Sequence, residues 1–234
     1  MSLPDWLTGQ PVAHRGLHAP GPQTPENSVA ALAAAETRGY AAEIDVQCAA
    51  DGEVMVFHDR WLKRLCGVDG PMDGRRGGDL QRLRLLNGPE TIPTLAEVIE
   101  LFPDLPLLIE LKMGDMALAP AVAELLDRRD GPFAVQSFDP AIVGWFADNR
   151  PDWPRGLIAY RSLRFSMRAK EPRYRPGFLE TSRPHFVAWN VKDLPADRSV
   201  PKDIPVLTWT VRSASDRRRA AAHAANIIFE GFLA

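Results

Sequence analysis

Residues 42–59 read AEIDVQCAADGEVMVFHD, two apolar runs typical of buried strands that are joined by the hairpin turn signal Asp51-Gly52. Glu43 and Asp45 lie inside the first run, and His58 comes near the end of the second. Strands that are covered on both faces should be almost continuously apolar, so ionisable residues within them need a partner or a function. The stretch therefore predicts a strand pair that holds acidic and imidazole side chains in place.

The rest of the chain repeats an alternation of short strands and amphipathic helices. Further strand-like runs lie at 11–16, 106–112, 133–138, 156–160, 185–190, 205–211 and 227–231. Helical stretches lie at 28–38, 94–102, 116–129, 141–149 and 213–225. This alternation predicts a mostly parallel sheet, and 234 residues match the size of one TIM barrel, about 250.

We therefore expect residues 1–234 to form a single α/β domain, a (β/α)8 TIM barrel. It would carry a short insertion after the second strand region, because residues 60–92 lack a clear strand. An eighth helix would be missing or replaced by the N-terminal segment, since the chain continues for only four residues after Glu230.

The ionisable residues of the charged strands lie mostly in the C-terminal halves of those strands. They are His14, Arg15, Glu43, Asp45, His58, Glu110 and Lys112. Side chains alternate along a strand, so Glu43 and Asp45 share one face, as do Glu110 and Lys112. Because the C-terminal strand ends of such a barrel form its active-site mouth, we expect all of these residues to meet there.

Three carboxylates without cysteine ligands suit a hard divalent metal cation, Mg²⁺ or Ca²⁺, which prefers oxygen donors. We expect Glu43, Asp45 and Glu110 to be its ligands. The alternative is a cluster without a cation, in which Arg15 and Lys112 form salt bridges with the carboxylates, because bare carboxylates raise one another's pKa.

His14 and His58 are candidates for a catalytic pair, since imidazole serves as acid and base near neutral pH. Arg15 and Lys112 supply the positive charge that a phosphoryl group requires. The predicted reaction class is metal-assisted phosphoester cleavage. The sequence has no GxxxxGK[ST] phosphate loop, no GxSxG elbow and no HExxH helix.

Composition excludes several other classes. The net charge of −2 gives no reason to expect nucleic acid as a partner. The N-terminus lacks a basic region followed by an apolar run, and no run of 18 apolar residues occurs, so we expect a cytoplasmic protein without stable membrane insertion. The two cysteines, Cys48 and Cys66, form no zinc or redox motif.

The ordered motifs of the chain resemble those of the glycerophosphodiester phosphodiesterase family. The matching motifs are His14-Arg15-Gly16, Pro25-Glu26-Asn27-Ser28, Glu43-Ile44-Asp45, Asp51-Gly52, His58-Asp59, Ile92-Pro93-Thr94-Leu95-Ala96-Glu97, Glu110-Leu111-Lys112, Gln136-Ser137-Phe138 and Trp209-Thr210-Val211. They are specific in order and extend over nearly the whole chain. The resemblance implies a (β/α)8 barrel and metal-dependent hydrolysis of a small glycerophosphodiester to glycerol 3-phosphate and an alcohol.

The resemblance also implies roles for individual residues. His14 and His58 would be the acid and base, and Glu43, Asp45 and Glu110 the cation ligands. The substrate contacts would be Arg15, Lys112, Gln136, Phe138 and Trp209. In the implied mechanism the glycerol 2-hydroxyl attacks phosphorus, and direct attack by water stays an alternative; which histidine begins as the base is left open.

Two departures from the family pattern bear on substrate choice: Arg212 stands where the family has a small amide, and Glu230 stands where it has Asp. One alternative function is a lysophospholipase D reaction, which needs an apolar groove. The residues that would line it are Phe165, Met167, Tyr174 and Phe178, in the basic loop 161–183. The other alternative is a catalytically silent phosphate-binding module on the same fold.

Overall fold

The computed structural model describes residues 3–112, 114–161 and 173–234. The chain divides into two compact units, Ala13–Pro132 (the 13–132 unit) and Met1–Val12 with Phe133–Ala234 (the 133–234 unit). The first described elements are helix α1 (Asp5–Gly9) and strand β1 (Val12–Ala13). Among the described residues, no helix has both the length and the apolar character needed to cross a membrane.

Three further strands form the sheet of the 13–132 unit: β2 (Ala41–Cys48), β3 (Val54–Val56) and β4 (Leu107–Leu111). Strand β2 pairs with β3 in the antiparallel sense and with β4 in the parallel sense. The predicted hairpin turn is present, with Gly52 at φ +86°, a conformation that glycine adopts without a steric cost. The β2–β4 register is decisive for the site because it places Asp45 opposite Glu110.

Helices α2 (Val29–Thr37), α3 (Lys63–Cys66), α4 (Gly77–Leu80), α5 (Leu95–Leu101) and α6 (Leu118–Leu126) complete the 13–132 unit. The predicted caps of α2 and α5 are both formed. The Ser28 hydroxyl accepts a hydrogen bond from the backbone N–H of Ala31. Thr94 and Glu97 form a capping box, in which each side chain accepts from the other residue's backbone N–H.

The connection 60–92 is held by an apolar cluster of its own. It contains α3 and α4, and short 3₁₀ helices at Met72–Gly74 and Leu85–Asn87. Its buried residues include Phe57, Leu62, Leu65, Met72, Leu80, Leu85 and Ile92. The predicted insertion without a strand is therefore an ordered segment, whose side chains pack against the residues that follow β3.

The 133–234 unit consists of parallel strands with helices between them. In chain order the elements are β5 (Phe133–Ser137), α7 (Pro140–Asn149), β6 (Arg155–Ala159), α8 (Gly177–Ser182), β7 (Phe186–Asn190), β8 (Val206–Val211), α9 (Ala214–His223) and β9 (Asn226–Phe229). The strands pair in sequence order, β5 with β6 and onward to β9, all in the parallel sense. This is the repeating β–α pattern that the sequence predicts.

The N-terminal segment contacts the last strand within this unit. The Asn226 side-chain amide donates to the carbonyl oxygens of Leu7 and Gln10, at 2.9 Å and 2.7 Å. The structure describes no helix after β9. Helix α1 therefore lies next to the last strand.

Candidate active site

Three buried carboxylates form the centre of the site in the 13–132 unit. Glu43 and Asp45 project from the same face of β2, and Glu110 lies opposite Asp45 on β4. One oxygen of each carboxylate lies within 4.8 Å of one oxygen of each of the others. Glu43 and Asp45 are each only 1% exposed. Water therefore screens little of the repulsion among these groups.

Two cations lie against the carboxylates. Lys112 Nζ is 2.6 Å from Asp45 Oδ1 and also donates to Glu110 Oε1. Arg15 Nε lies 3.2 Å from Asp45 Oδ2. Burial alone would raise the pKa of Asp45, but Lys112 and the neighbouring cationic groups hold it well below its usual range. Asp45 is thus ionised, with both of its oxygens beside positive charge.

Glu43 is in a different electrostatic position from Asp45. Its Oε2 accepts a 2.8 Å hydrogen bond from the backbone N–H of Arg15 and lies 4.0 Å from His14 Nε2. Its Oε1 is buried and has no hydrogen-bond partner among the described residues. Burial, and next the charges of Asp45 and Glu110, raise its pKa well above the usual range.

The orphaned Glu43 oxygen shows that these residues fit a divalent cation. A buried carboxylate oxygen without a partner carries a desolvation penalty, and a hard cation removes that penalty because it prefers oxygen donors. Lys112 contacts Asp45 and Glu110, and the Arg15 side chain contacts Asp45 and Glu26, which leaves Glu43 the least compensated of the three carboxylates. The salt-bridged cluster considered as an alternative is therefore only partly satisfied.

The loop after β1 places His14 and Arg15 at this centre. Arg15 and Asn27 both have left-handed backbone conformations, at φ +56° and φ +57°. The backbone N–H of Asn27 donates to the Arg15 carbonyl at 2.9 Å, and its side-chain amide donates to Asp45 Oδ2 at 2.8 Å. Such strain is maintained only where the surroundings fix it, as these hydrogen bonds do.

Gly16 permits the loop to approach helix α2 closely. A Cβ atom at this position would lie 2.9 Å from the backbone carbonyl carbon of Ala31, and φ is +76°. We expect Gly16→Ala to lower the free energy of unfolding by about 2–4 kcal/mol, measured by urea denaturation. Gly39→Ala is the matched control, since Gly39 has φ +68° with nothing within 4 Å of its Cβ position. An equal loss in both variants would contradict a steric role for Gly16.

His58 follows β3 and is held from two sides. Its Nδ1 lies 2.7 Å from Asp59 Oδ1. An ionised carboxylate only accepts hydrogen bonds, so Nδ1 carries the proton of this contact. The Gln47 side-chain amide donates to the carbonyls of Phe57 and Asp59, at 2.6 Å and 3.2 Å, and this fixes the backbone on both sides of His58.

The three other predicted substrate contacts belong to the 133–234 unit. Gln136 is buried in β5, and its Oε1 has no hydrogen-bond partner among the described residues. The rings of Phe138 and Trp209 meet edge to face, with centroids 5.3 Å apart. Trp209 Nε1 donates to the Ala188 carbonyl at 2.8 Å, so the indole is fixed in orientation. Their contact with substrate stays a prediction.

Arg212 and the loop 161–183 are the features of the chain that are least like the family pattern. Arg212 is largely exposed and its Nε donates to Glu230 Oε1, so the two departures from the family pattern form an ion pair with each other. Tyr174 packs edge to face on Trp189, with centroids 4.9 Å apart. Phe165 and Met167, expected to line an apolar groove, lie outside the described residues.

Four residues that the sequence reasoning gave no role also contact the site: Glu26, Asn27, Asp59 and Arg64. Glu26 accepts from Arg15 Nη1 at 2.6 Å, and both Glu26 and Asp59 accept from Arg64. The signal for the first three was their place in the motifs Pro25-Glu26-Asn27-Ser28 and His58-Asp59. For Arg64, no motif drew attention to it.

Comparisons with known proteins give the fold and the family. The structure of a phosphodiesterase from Oleispira antarctica, in complex with the product sn-glycerol-3-phosphate, is similar with a TM-score of 0.77 at 24% identity. The match covers 94% of this chain and 92% of that one, and it confirms the predicted fold, a (β/α)8 barrel.

Two curated relatives match over part of their length. A glycerophosphodiester phosphodiesterase of Caldanaerobacter subterraneus is 34% identical over 127 residues, 49% of this chain and 49% of that protein. A human lysophospholipase D is 32% identical over 130 residues, 50% of this chain and 40% of that protein. The chain thus matches half or less of the length of these relatives. The sequence profile of the glycerophosphoryl diester phosphodiesterase family matches residues 14–229, and the chain belongs to this family.

Proposed function

We propose that the chain hydrolyses glycerophosphodiesters to glycerol 3-phosphate and an alcohol with the help of a divalent cation. The observation that carries this proposal is the convergence of Glu43, Asp45 and Glu110 within the buried strands β2 and β4, with His14 Nε2 only 4.0 Å from Glu43. Family membership and the glycerol 3-phosphate bound to the Oleispira protein support it. We also propose that residues 1–234 form one domain.

Glu43, Asp45 and Glu110 would hold the cation, and their oxygen donors favour Mg²⁺ or Ca²⁺. When bound, such a cation withdraws charge from phosphoryl oxygens and lowers the pKa of a coordinated hydroxyl or water. Arg15 and Lys112 would contact the phosphoryl oxygens, because both side chains lie beside the carboxylate cluster and both are positively charged. Burial lowers the pKa of Lys112, but the charges of Asp45 and Glu110 raise it by more than burial lowers it. The Lys112 ammonium group therefore stays protonated.

The histidines would transfer the protons of the reaction. One imidazole removes the proton of the glycerol 2-hydroxyl, whose oxygen forms a bond to phosphorus while the bond to the leaving alcohol oxygen breaks. The other imidazolium protonates that alcohol. Water then adds to phosphorus, opens the cyclic phosphodiester and yields glycerol 3-phosphate, while the same two groups return to their initial protonation states.

The remaining predicted contacts would recognise the organic part of the substrate. Phe138 and Trp209 offer an edge-to-face aromatic surface suited to the glycerol carbon atoms. Gln136 would donate or accept through its amide, whose buried oxygen lacks a partner among the described residues.

A second candidate function is a lysophospholipase D reaction, which the named human relative favours. Both reactions cleave a phosphodiester bond. They differ in the substrate, whose glycerol carries no acyl chain in the first reaction and one acyl chain in the second. Of the apolar residues expected to line a groove, Tyr174 and Phe178 are described, and their rings pack against each other with centroids 6.4 Å apart.

A substrate panel separates these candidates. Glycerophosphocholine, glycerophosphoethanolamine and lysophosphatidylcholine are incubated with the protein and Mg²⁺, Ca²⁺ or Mn²⁺ in turn, and the products are identified by mass spectrometry. We expect glycerol 3-phosphate from the first two. Lysophosphatidate as the main product would favour the second candidate. Binding of glycerophosphodiesters without any product would identify a silent module and contradict both.

A further inference from the structure

Arg64 joins two carboxylates that belong to different parts of the site. Its Nε and one terminal nitrogen lie 2.6 Å and 2.9 Å from the two oxygens of Asp59. Its two terminal nitrogens lie 2.7 Å and 2.8 Å from the two oxygens of Glu26. One guanidinium therefore makes paired hydrogen bonds with both carboxylates, a geometry that its planar fork allows.

Each of these carboxylates contacts a residue with a proposed role in the reaction. Asp59 Oδ1 accepts from His58 Nδ1 at 2.7 Å, and Glu26 Oε1 accepts from Arg15 Nη1 at 2.6 Å. A continuous series of short contacts thus runs from His58 to Asp59, to Arg64, to Glu26 and to Arg15. Arg64 itself touches neither the carboxylate cluster nor either histidine.

The segment that supplies Arg64 is firmly packed. Arg64 lies on α3; Leu65 and Cys66, the two residues after it, are buried, as is Leu62, two residues before it. These residues belong to the apolar cluster of the connection 60–92. The backbone of Arg64 is therefore anchored, although its side chain is about half exposed, at 48%. An anchored donor can fix the position of the two carboxylates that accept from it.

We propose that Arg64 is a positioning residue, which orients His58 through Asp59 and Arg15 through Glu26 at the same time. The inference rests on the proposed function for its kinetic consequence, but the orientation of His58 can be tested without turnover. The competing interpretation is an ordinary surface ion network, which would affect stability slightly and catalysis not at all.

The first test is kinetic. We expect Arg64→Ala and Arg64→Lys each to lower kcat on glycerophosphocholine by about 10- to 100-fold, the usual cost of removing a partner that orients a functional side chain. Lysine keeps the charge but cannot make paired bonds with two carboxylates, so it should not rescue kcat. Arg82→Ala is the matched control, because Arg82 is an exposed arginine of the same segment that pairs with Asp79. It should leave kcat unchanged.

The second test reads the histidine directly. Nitrogen-15 NMR of the imidazoles should show His58 as the tautomer protonated at Nδ1 in the wild type, with His58→Ala identifying the signal. In Arg64→Ala and Arg64→Lys we expect a mixture of tautomers, and in Arg82→Ala the wild-type pattern. Wild-type kcat and an unchanged His58 signal in both Arg64 variants would overturn the proposal, as would full rescue by lysine. The wild type could instead be inactive on every substrate while the His58 signal still changes in the Arg64 variants. That result would contradict the proposed function and not the positioning role of Arg64.

Discussion

His58→Ala is expected to lower kcat by about 10²–10⁴, the usual contribution of a general acid or base. The proposed reason is that Asp59 Oδ1 accepts a hydrogen bond from His58 Nδ1, which leaves Nε2 to exchange a proton with the substrate. His14→Ala should show a loss in the same range, since His14 lies beside Glu43 at the carboxylate cluster. Steady-state kinetics on glycerophosphocholine measure both.

The double variant distinguishes a pair from two independent residues. If His14 and His58 act as a unit, the double variant should lose much less than the product of the single losses. His223→Ala is the matched control, because His223 is an exposed residue of α9. Fully multiplicative losses would contradict paired action, and a single variant that keeps wild-type kcat would remove that histidine from the proposed mechanism.

Neutralising the carboxylates should weaken cation binding strongly. Partners that only orient a metal ligand already contribute about 10- to 100-fold to affinity, so Glu43→Gln, Asp45→Asn and Glu110→Gln should each raise the cation Kd by about 100-fold or more. Isothermal titration of Mg²⁺, Ca²⁺ or Mn²⁺ measures this without any substrate. Unchanged affinity in all three variants would contradict the proposed ligand set.

The same variants should differ in stability when a chelator is present. The pKa of Asp45 is lowered in the fold, so its charge stabilises the native state above its unfolded pKa, and this contribution is lost as pH falls. The pKa of Glu43 is raised, so ionising it opposes folding as pH rises. At neutral pH we expect Asp45→Asn to lose on the order of 1–3 kcal/mol in urea denaturation, and Glu43→Gln to lose nothing or to gain. The reverse order would contradict this assignment of charge.

Much of the fold and of the carboxylate cluster follows from strand periodicity alone. Glu43 and Asp45 are two residues apart, so a strand must place them on one face, and the hairpin signal Asp51-Gly52 fixes where that strand ends. The alternation of strands and helices predicts that β2 and β4 are parallel, whereas the register that brings Asp45 opposite Glu110 is known only from the structure. The periodicity, the hairpin signal and the alternation are local patterns, which a single sequence displays directly.

The support around the cluster depends on contacts that sequence patterns do not encode. Arg64 and Glu26 are 38 positions apart and meet only because the connection 60–92 packs on its own apolar cluster. Helix α3 has four residues, too few for a periodic signal. Arg212 and Glu230 form an ion pair that no sequence pattern predicts, because they follow β8 and β9, which are neighbouring parallel strands.

The most direct test of the proposed activity is the release of glycerol 3-phosphate from glycerophosphocholine by the purified protein, followed before chelation, after exhaustive chelation, and after return of Mg²⁺, Ca²⁺ or Mn²⁺. We expect turnover that chelation abolishes and at least one of these cations restores, while Glu110→Gln stays inactive throughout. Turnover that survives exhaustive chelation would contradict the metal-dependent mechanism, and no glycerol 3-phosphate under any of these conditions would contradict the proposed function itself.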